Sequence, residues 1–302
     1  MNKSLRLFCV IALLVFGLLA GTAALPARVR GIGTDTFQPG QIVIGLLPGA
    51  DINAFNARHG STIIEQITGA EEYLLSIPPG STVQDKVLEI EADLQAAFVG
   101  PNFNFKTPEI RQSSAAFIDQ SSAAFIDGIS PLSFYGQPGL GRLHLTEAHN
   151  ITQGAGVRVA VIDTGLDFNH KLFPGHIAYP VFDFVNNDGD PAEEPGGIGY
   201  GHGTFVSGLI RLTAPDAMIM PLRVFDPQGQ ATSFNIAKAI RFATDNGAQI
   251  INMGFGLLEE DKLIKETLSY AYESVYMVAA AGNDNQNLIH YPGLVLPTGF
   301  LK

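Results

Sequence analysis

A chain of 302 residues with 46% hydrophobic and 16% charged side chains is long enough for one or two domains with real cores and too apolar to be disordered. A net charge of −11 argues against nucleic acid or an anionic membrane surface as the main partner and reads as a solubility device. The single cysteine, Cys9, excludes a disulfide framework within the chain.

Residues 1–24 have the pattern of a secretory signal. Lys3 and Arg6 make a basic start, Leu7 to Ala20 is an uninterrupted apolar run, and Gly21-Thr22-Ala23-Ala24 supplies small residues for cleavage. The apolar run is short for a membrane-spanning helix. The expectation is a secreted, extracellular protein without stable membrane association after signal cleavage, and without any thiol once Cys9 is removed.

Residues 25–40 read as a Gly/Pro-rich linker. Residues 41–106 then form a small unit. Gln41 to Leu47 is strand-like, Asp51 caps a helix through Arg58, and Ser61–Gln66 and Glu72–Ile77 are strand candidates. Ser81 is placed to cap a second helix with Val83, Val87, Ile90 and Leu94 on one face, and Ala97 to Phe105 closes the set. The order βαββαβ predicts a small α+β, ferredoxin-like sandwich. Residues 107–130 read as a second linker, and within it Gln112–Asp119 is repeated letter for letter at Gln120–Asp127. Two copies are too few for a solenoid, and an exposed Ser/Ala-rich tether is easily nicked.

Residues 131–302 read as one larger domain. Strand candidates are Val157–Ile162, Ile177–Asp183, Met218–Val224, Gln249–Asn252 and Val275–Ala280. Ser233 is placed to cap a helix through Asn246 that aligns Ile236, Ala237, Ile240 and Ala243, with Gly247 as its stop. Glu260 to Glu273 aligns Leu263, Ile264, Thr267, Leu268 and Ala271 on another face. Apolar strands alternating with helices predict an α/β fold, a parallel sheet flanked by helices. Ligands bind such sheets past the carboxyl ends of the strands, and Asp163, Met253-Gly254 and Gly282-Asn283 all fall just past such ends.

Three contexts carry chemistry. Val157 to Gly165 is an apolar, β-branched run ending in Asp163 at a glycine turn, which suits a dry carboxylate that orients an imidazole. Gly201-His202-Gly203-Thr204 places a histidine, expected to be exposed, at a helix start between small neighbours. Asn283, after the run Val278 to Gly282, is placed to donate an amide N–H to an oxyanion at the cleft. Met253, Gly254, Phe255 and Gly256 offer backbone to an extended substrate that pairs as an added strand, with Gly254 and Gly256 lining a side-chain pocket. Asp183, Asn186, Asp188 and Asp190 cluster hard oxygens around a glycine turn, which suits Ca²⁺.

These motifs, in this order, resemble the subtilisin-like serine peptidase family. The run Val159-Ala160-Val161-Ile162-Asp163-Thr164-Gly165, the run Gly201-His202-Gly203-Thr204, the turn Ala281-Gly282-Asn283 and the stretch Ile236 to Gly256 carry the likeness over roughly residues 140–293. The unit at 41–106 is similar to the family's inhibitory propeptide. The resemblance implies a subtilisin-like fold, cleavage of polypeptide substrates by Asp/His/Ser chemistry and synthesis as a zymogen. It implies that Asp163 orients, His202 is the general base and Asn283 the oxyanion donor, with no required cofactor and a structural Ca²⁺ at most. The propeptide acts on its own chain, laying a tail near Asn102 to Lys106 across the cleft.

The chain departs from the family pattern at three places. Phe205 stands where His is usual after Gly-His-Gly-Thr, and Gly254 stands where Ser is usual. No Gly-Thr-Ser-x-Ala segment, which carries the family's nucleophile, occurs among the 302 residues, and Ser207, Ser233, Ser269 and Ser274 all precede Asn283 in helical contexts. The expectation is a precursor cut before its catalytic serine and inactive as it stands. The alternative is a non-catalytic protein that binds and inhibits a protease through its propeptide unit.

Overall fold

The computed structural model describes residues 36–107, 138–280 and 290–293. The expected signal segment, the tandem repeat and Asn283 lie outside these residues.

The first lobe has the expected element order: β1 (Phe37–Leu46), α1 (Ile52–His59), β2 (Thr62–Gln66), β3 (Glu72–Ser76), α2 (Val83–Ile90) and β4 (Ala96–Lys106). The strands lie side by side as β2-β3-β1-β4. Each pair is antiparallel, with Val43 opposite Leu74 on one side and Gly100 on the other. Asp51 caps α1 by accepting the Asn53 N–H at 2.8 Å. Helix α2 is capped by Thr82 rather than Ser81: the extended backbone is at Thr82, and its hydroxyl accepts the Asp85 N–H at 3.1 Å. That helix stops at Ile90, so Leu94, expected on its apolar face, lies in the following turn and is 91% exposed.

Ile42, Val43 and Ile44 are all buried. Successive side chains of a strand face opposite sides, so both faces of this small sheet are covered. Helix α2 packs on β1 and β4, and two helices of the second lobe, α6 (Ser233–Asp245) and α7 (Lys262–Ala271), pack against the same region of the sheet.

The second lobe opens with α3 (Pro138–Arg142) and α4 (Leu145–His149). It continues through β5 (Arg158–Asp163), β6 (Phe182–Asp183), α5 (His202–Thr213), β7 (Met218–Arg223) and β8 (Gln230–Thr232) to α6. After α6 come β9 (Ile250–Met253), α7 and β10 (Tyr276–Ala279). The sheet order is β10-β9-β5-β7-β6, parallel throughout, with Val159 flanked by Ile219 and Ile250. Strand β5 is central, and Val159 to Asp163 is buried without interruption because α5 and α6 both pack on it. Full burial of each Val or Ile here contributes roughly 1.5–3 kcal/mol.

In this lobe three expectations are corrected. The strand expected over Ile177–Asp183 is reduced to β6 and an isolated bridge from Ile177 to Ile219, since Pro180 has no N–H to give a ladder. Helix α6 is capped by Thr232, whose hydroxyl accepts the Asn235 N–H at 3.3 Å, and Ser233 is its first residue. Helix α7 is shorter than Glu260–Glu273 because Asp261 caps it, accepting the Ile264 N–H at 3.0 Å.

Strand β8 does not join the parallel sheet. It pairs antiparallel with β4, Asn104 opposite Thr232, Phe105 opposite Ala231 and Lys106 opposite Gln230, so the first lobe's sheet gains a fifth strand from the second lobe. Among the described residues no helix is long and apolar enough to cross a membrane.

Candidate active site

Asp163 is the last residue of the central strand β5, and its side chain is 2% exposed. One carboxylate oxygen, Oδ1, accepts the Thr164 N–H at 2.7 Å and lies 2.6 Å from Nδ1 of His202. With Nδ1 facing a carboxylate, Nδ1 carries the proton and donates it, which leaves Nε2 as the proton acceptor. His202 opens α5. Its side chain is only 11% exposed, against the exposed histidine expected from its glycine neighbours. The backbone at Gly254 comes down beside it, so close that a Cβ there would lie 3.8 Å from both His202 Cε1 and Asp163 Oδ2.

The start of α5 sits hard against the turn that follows β5. A Cβ on Gly203 would lie 2.2 Å from the Gly165 carbonyl oxygen, so only glycine allows this approach. Gly201, the N-cap residue, offers no side chain to the first turn. The free N–H groups there are met from elsewhere. Gly203 N–H is shared between Thr164 Oγ1 at 2.9 Å and Glu193 Oε1 at 3.1 Å, and Thr204 N–H reaches Glu193 Oε1 at 3.4 Å. The Thr164 and Thr204 hydroxyls donate to the two oxygens of Glu193, each at 2.7 Å. Burial pushes the Glu193 carboxyl above the usual carboxylate range; the two hydroxyl donors pull it down, and the negative charge of Asp163 raises it again. The sequence reading singled out none of Thr164, Glu193 and Thr204, although a threonine follows the acid in one motif and the glycine-flanked histidine in the other.

Met253 ends β9 and is fully buried, and Phe255 is 1% exposed. The chain's own residues 104–107 cover this segment. Lys106 forms an antiparallel bridge to Gly256, Thr107 N–H donates to the Gly229 carbonyl at 3.0 Å, and Phe105 meets Phe255 edge to face at 5.8 Å between ring centres. Phe225 closes the aromatic group, 5.3 Å from Phe255. A Cβ added at Gly254 would approach Asp163 and His202, and one added at Gly256 would lie 2.5 Å from His290 Cβ. Asn283 lies outside the described residues.

The oxygen cluster expected to suit Ca²⁺ does not fit the ion in this arrangement. Asp183 is completely buried and spends Oδ2 on Arg223 Nη1 at 2.7 Å and Oδ1 on the N–H groups of Val185 and Asn186. Asn186 turns its amide to Glu194 at 2.7 Å, and Asp188 accepts the Asp190 N–H at 2.9 Å. Arg223 also reaches Glu194 at 2.9 Å and, with Asn186, holds that carboxyl below its usual range. The cation that neutralises Asp183 is therefore a guanidinium. Among the described residues no group of three or more His, Cys, Asp or Glu is gathered as a metal site.

Residues 154–296 match the model of the subtilase family, and residues 23–102 match that of the fervidolysin N-terminal prodomain. Over 167 residues the chain is 32% identical to thermitase of Thermoactinomyces vulgaris, covering 52% of this chain and 58% of that protein. Over 217 residues it is 31% identical to the minor extracellular protease Vpr of Bacillus subtilis, covering 67% of this chain and 25% of that protein. The crystal structure of fervidolysin from Fervidobacterium pennivorans, a keratinolytic enzyme related to subtilisin, matches with a TM-score of 0.65 at 22% identity, over 86% of this chain and 42% of that one. The fold is thus subtilisin-like, and the chain spans between a quarter and three fifths of the two curated relatives.

Proposed function

We propose, on the premise that this chain belongs to the subtilase family, that it is the precursor of a secreted serine endopeptidase. Residues 1–24 direct export, 41–106 act as an inhibitory propeptide on their own chain, 107–130 tether it, and 131–302 carry the peptidase side of the cleft. His202 takes the proton of a serine hydroxyl as that oxygen attacks a peptide carbonyl, and Asp163 holds the imidazole in the tautomer that accepts it. Asn283 donates to the oxyanion that forms. Polypeptides are the substrates.

The observation that carries this reading is the course of residues 104–107. They run as an added antiparallel strand between β8 and Gly256, the way an extended peptide docks on a sheet edge. Lys106 stands opposite Gly256, two residues along the chain from Gly254, whose backbone lies beside Asp163 and His202. The Gly-Thr-Ser-x-Ala segment does not occur among the 302 residues, so the hydroxyl that His202 would deprotonate is not assigned to any of them. Removal of the nucleophile from subtilisin costs about 10⁶ in kcat.

The test is a pair of expressions. Residues 25–302 are assayed for casein hydrolysis, and so is the product of the whole gene, including any codons that follow Lys302. The expected result is an inert first product and a second whose activity is abolished by a serine-directed inhibitor, by Asp163→Asn and by His202→Ala. An inert whole-gene product that binds and slows another protease would move the assignment to a non-catalytic inhibitor.

A further inference from the structure

We infer that Glu193 is a positioning residue for the Asp163–His202 pair: its carboxylate fastens the first turn of α5 to the end of β5 and so fixes how the imidazole meets Asp163. The role rests on the proteolytic reading of that pair, but its geometry stands independently.

A helix leaves its first N–H groups without partners inside the helix, and an N-cap side chain normally takes those of the second and third residues. Here the N-cap is Gly201, which has no side chain, and the helical residues are His202, Gly203 and Thr204. The His202 N–H is met locally by the Gly199 carbonyl at 3.2 Å, but the glycine cap offers no side-chain acceptor to the two N–H groups that follow. Glu193 supplies the missing cap from a different segment, accepting from Gly203 N–H at 3.1 Å and Thr204 N–H at 3.4 Å. The same carboxylate accepts the Thr164 hydroxyl at 2.7 Å, and Thr164 is the neighbour whose N–H holds Asp163 Oδ1. One side chain therefore ties together the residue after the acid and the two residues after the base. Thr204 extends the clamp by accepting the Asp167 N–H at 2.8 Å while donating to Glu193. The loop that carries Glu193 is itself held to the turn: Leu166 N–H donates to Pro191 O at 3.0 Å and Glu193 N–H to Leu166 O at 3.3 Å. A carboxylate at a helix N-terminus is also favoured by the helix dipole, which offsets part of the cost of its burial.

A simple cap and a positioning residue differ in what they do to His202. The experiment uses residues 25–302 with labelled histidine, compares the parent with Glu193→Gln, Glu193→Asp and Leu212→Ala, and follows the His202 Nδ1–H resonance, its titration and thermal unfolding. Leu212 is buried in α5 away from the pair, so Leu212→Ala reports what loss of stability alone does. Glu193→Gln keeps the size but removes the charge and half the acceptors. It is expected to weaken or shift the Nδ1–H resonance and to lower the proton affinity of His202 roughly three- to tenfold, as for one unit charge lost in a half-buried site. Glu193→Asp restores part of both effects. A Glu193→Gln protein that melts earlier yet shows the His202 resonance and titration of Leu212→Ala would overturn the inference. None of these readings needs a nucleophile. An inert whole-gene product with a His202 that responds to Glu193 would sink the peptidase assignment alone, and a working peptidase with an unresponsive His202 would sink this inference alone.

Discussion

Asn102 of the first lobe caps a helix of the second: its Oδ1 accepts the Ser233 hydroxyl and the Phe234 N–H, each at 3.2 Å. Ser233 Oγ in turn accepts the Phe103 N–H at 3.0 Å, and Asn102 is held in place by Gln41 at 2.8 Å. The amino end of α6 is therefore completed by residues some 130 positions earlier in sequence. Asn102→Ala should destabilise the chain by about 1–2 kcal/mol, the usual cost of a lost cap, read from urea unfolding of the full chain. An unchanged midpoint would mean that water replaces Asn102 at no cost.

Among the described residues three ion pairs join the lobes, and their settings predict unequal worth. Arg241–Glu72 is nearly buried at both ends, 12% and 11% exposed, whereas Lys262–Glu91 is 47% and 43% exposed; Lys238–Glu65 lies between. In double-mutant cycles Arg241–Glu72 should show coupling of roughly 1–3 kcal/mol, with little loss in salt. Lys262–Glu91 should show none that is measurable. Equal couplings would contradict the assignment by burial.

Asp261 caps α7 while fully buried, and burial pushes its carboxyl up to about 6. A carboxyl raised in the folded state binds its proton more tightly there than in the unfolded chain. Its contribution to stability is complete below the unfolded value of 3.8 and is lost as pH rises through about 6. Asp261→Asn keeps a cap acceptor and carries no charge. The difference in unfolding free energy between variant and parent, read from urea unfolding, should grow in the variant's favour from pH 4 to 7, reaching roughly 1–3 kcal/mol. A difference independent of pH would show that Asp261 is not the group titrating.

Two glycines of α5 should respond oppositely to alanine. At Gly203 a Cβ would meet the Gly165 carbonyl at 2.2 Å, and at Gly208 it would meet only Leu172 Cδ1 at an ordinary 3.6 Å. Gly203→Ala should destabilise by about 1–3 kcal/mol or more through backbone displacement. Gly208→Ala should be neutral or stabilise by up to about 1 kcal/mol through helix propensity. Thermal unfolding of the two variants side by side decides the matter.

What the sequence determined by itself is the set of elements and their order. The alternation and β-branched runs of residues 41–106 are local properties of strands and helices, and so are the apolar run ending in Asp163 and the glycine-flanked start at His202. Locality also explains the small errors: Thr82 for Ser81 and Thr232 for Ser233 differ by one residue in where the backbone turns extended. Apart from the Asp163–His202 pair, which the motif resemblance already implied, only the tertiary structure decided which groups meet. That β4 pairs with β8, that Asn102 completes α6 and that Arg223 neutralises Asp183 all join residues far apart in sequence. The same holds for Glu193, which caps a helix that begins nine residues later. No periodicity records such partners, because a hydrogen bond or an ion pair depends on distance through space, and the packing of the two lobes sets that distance.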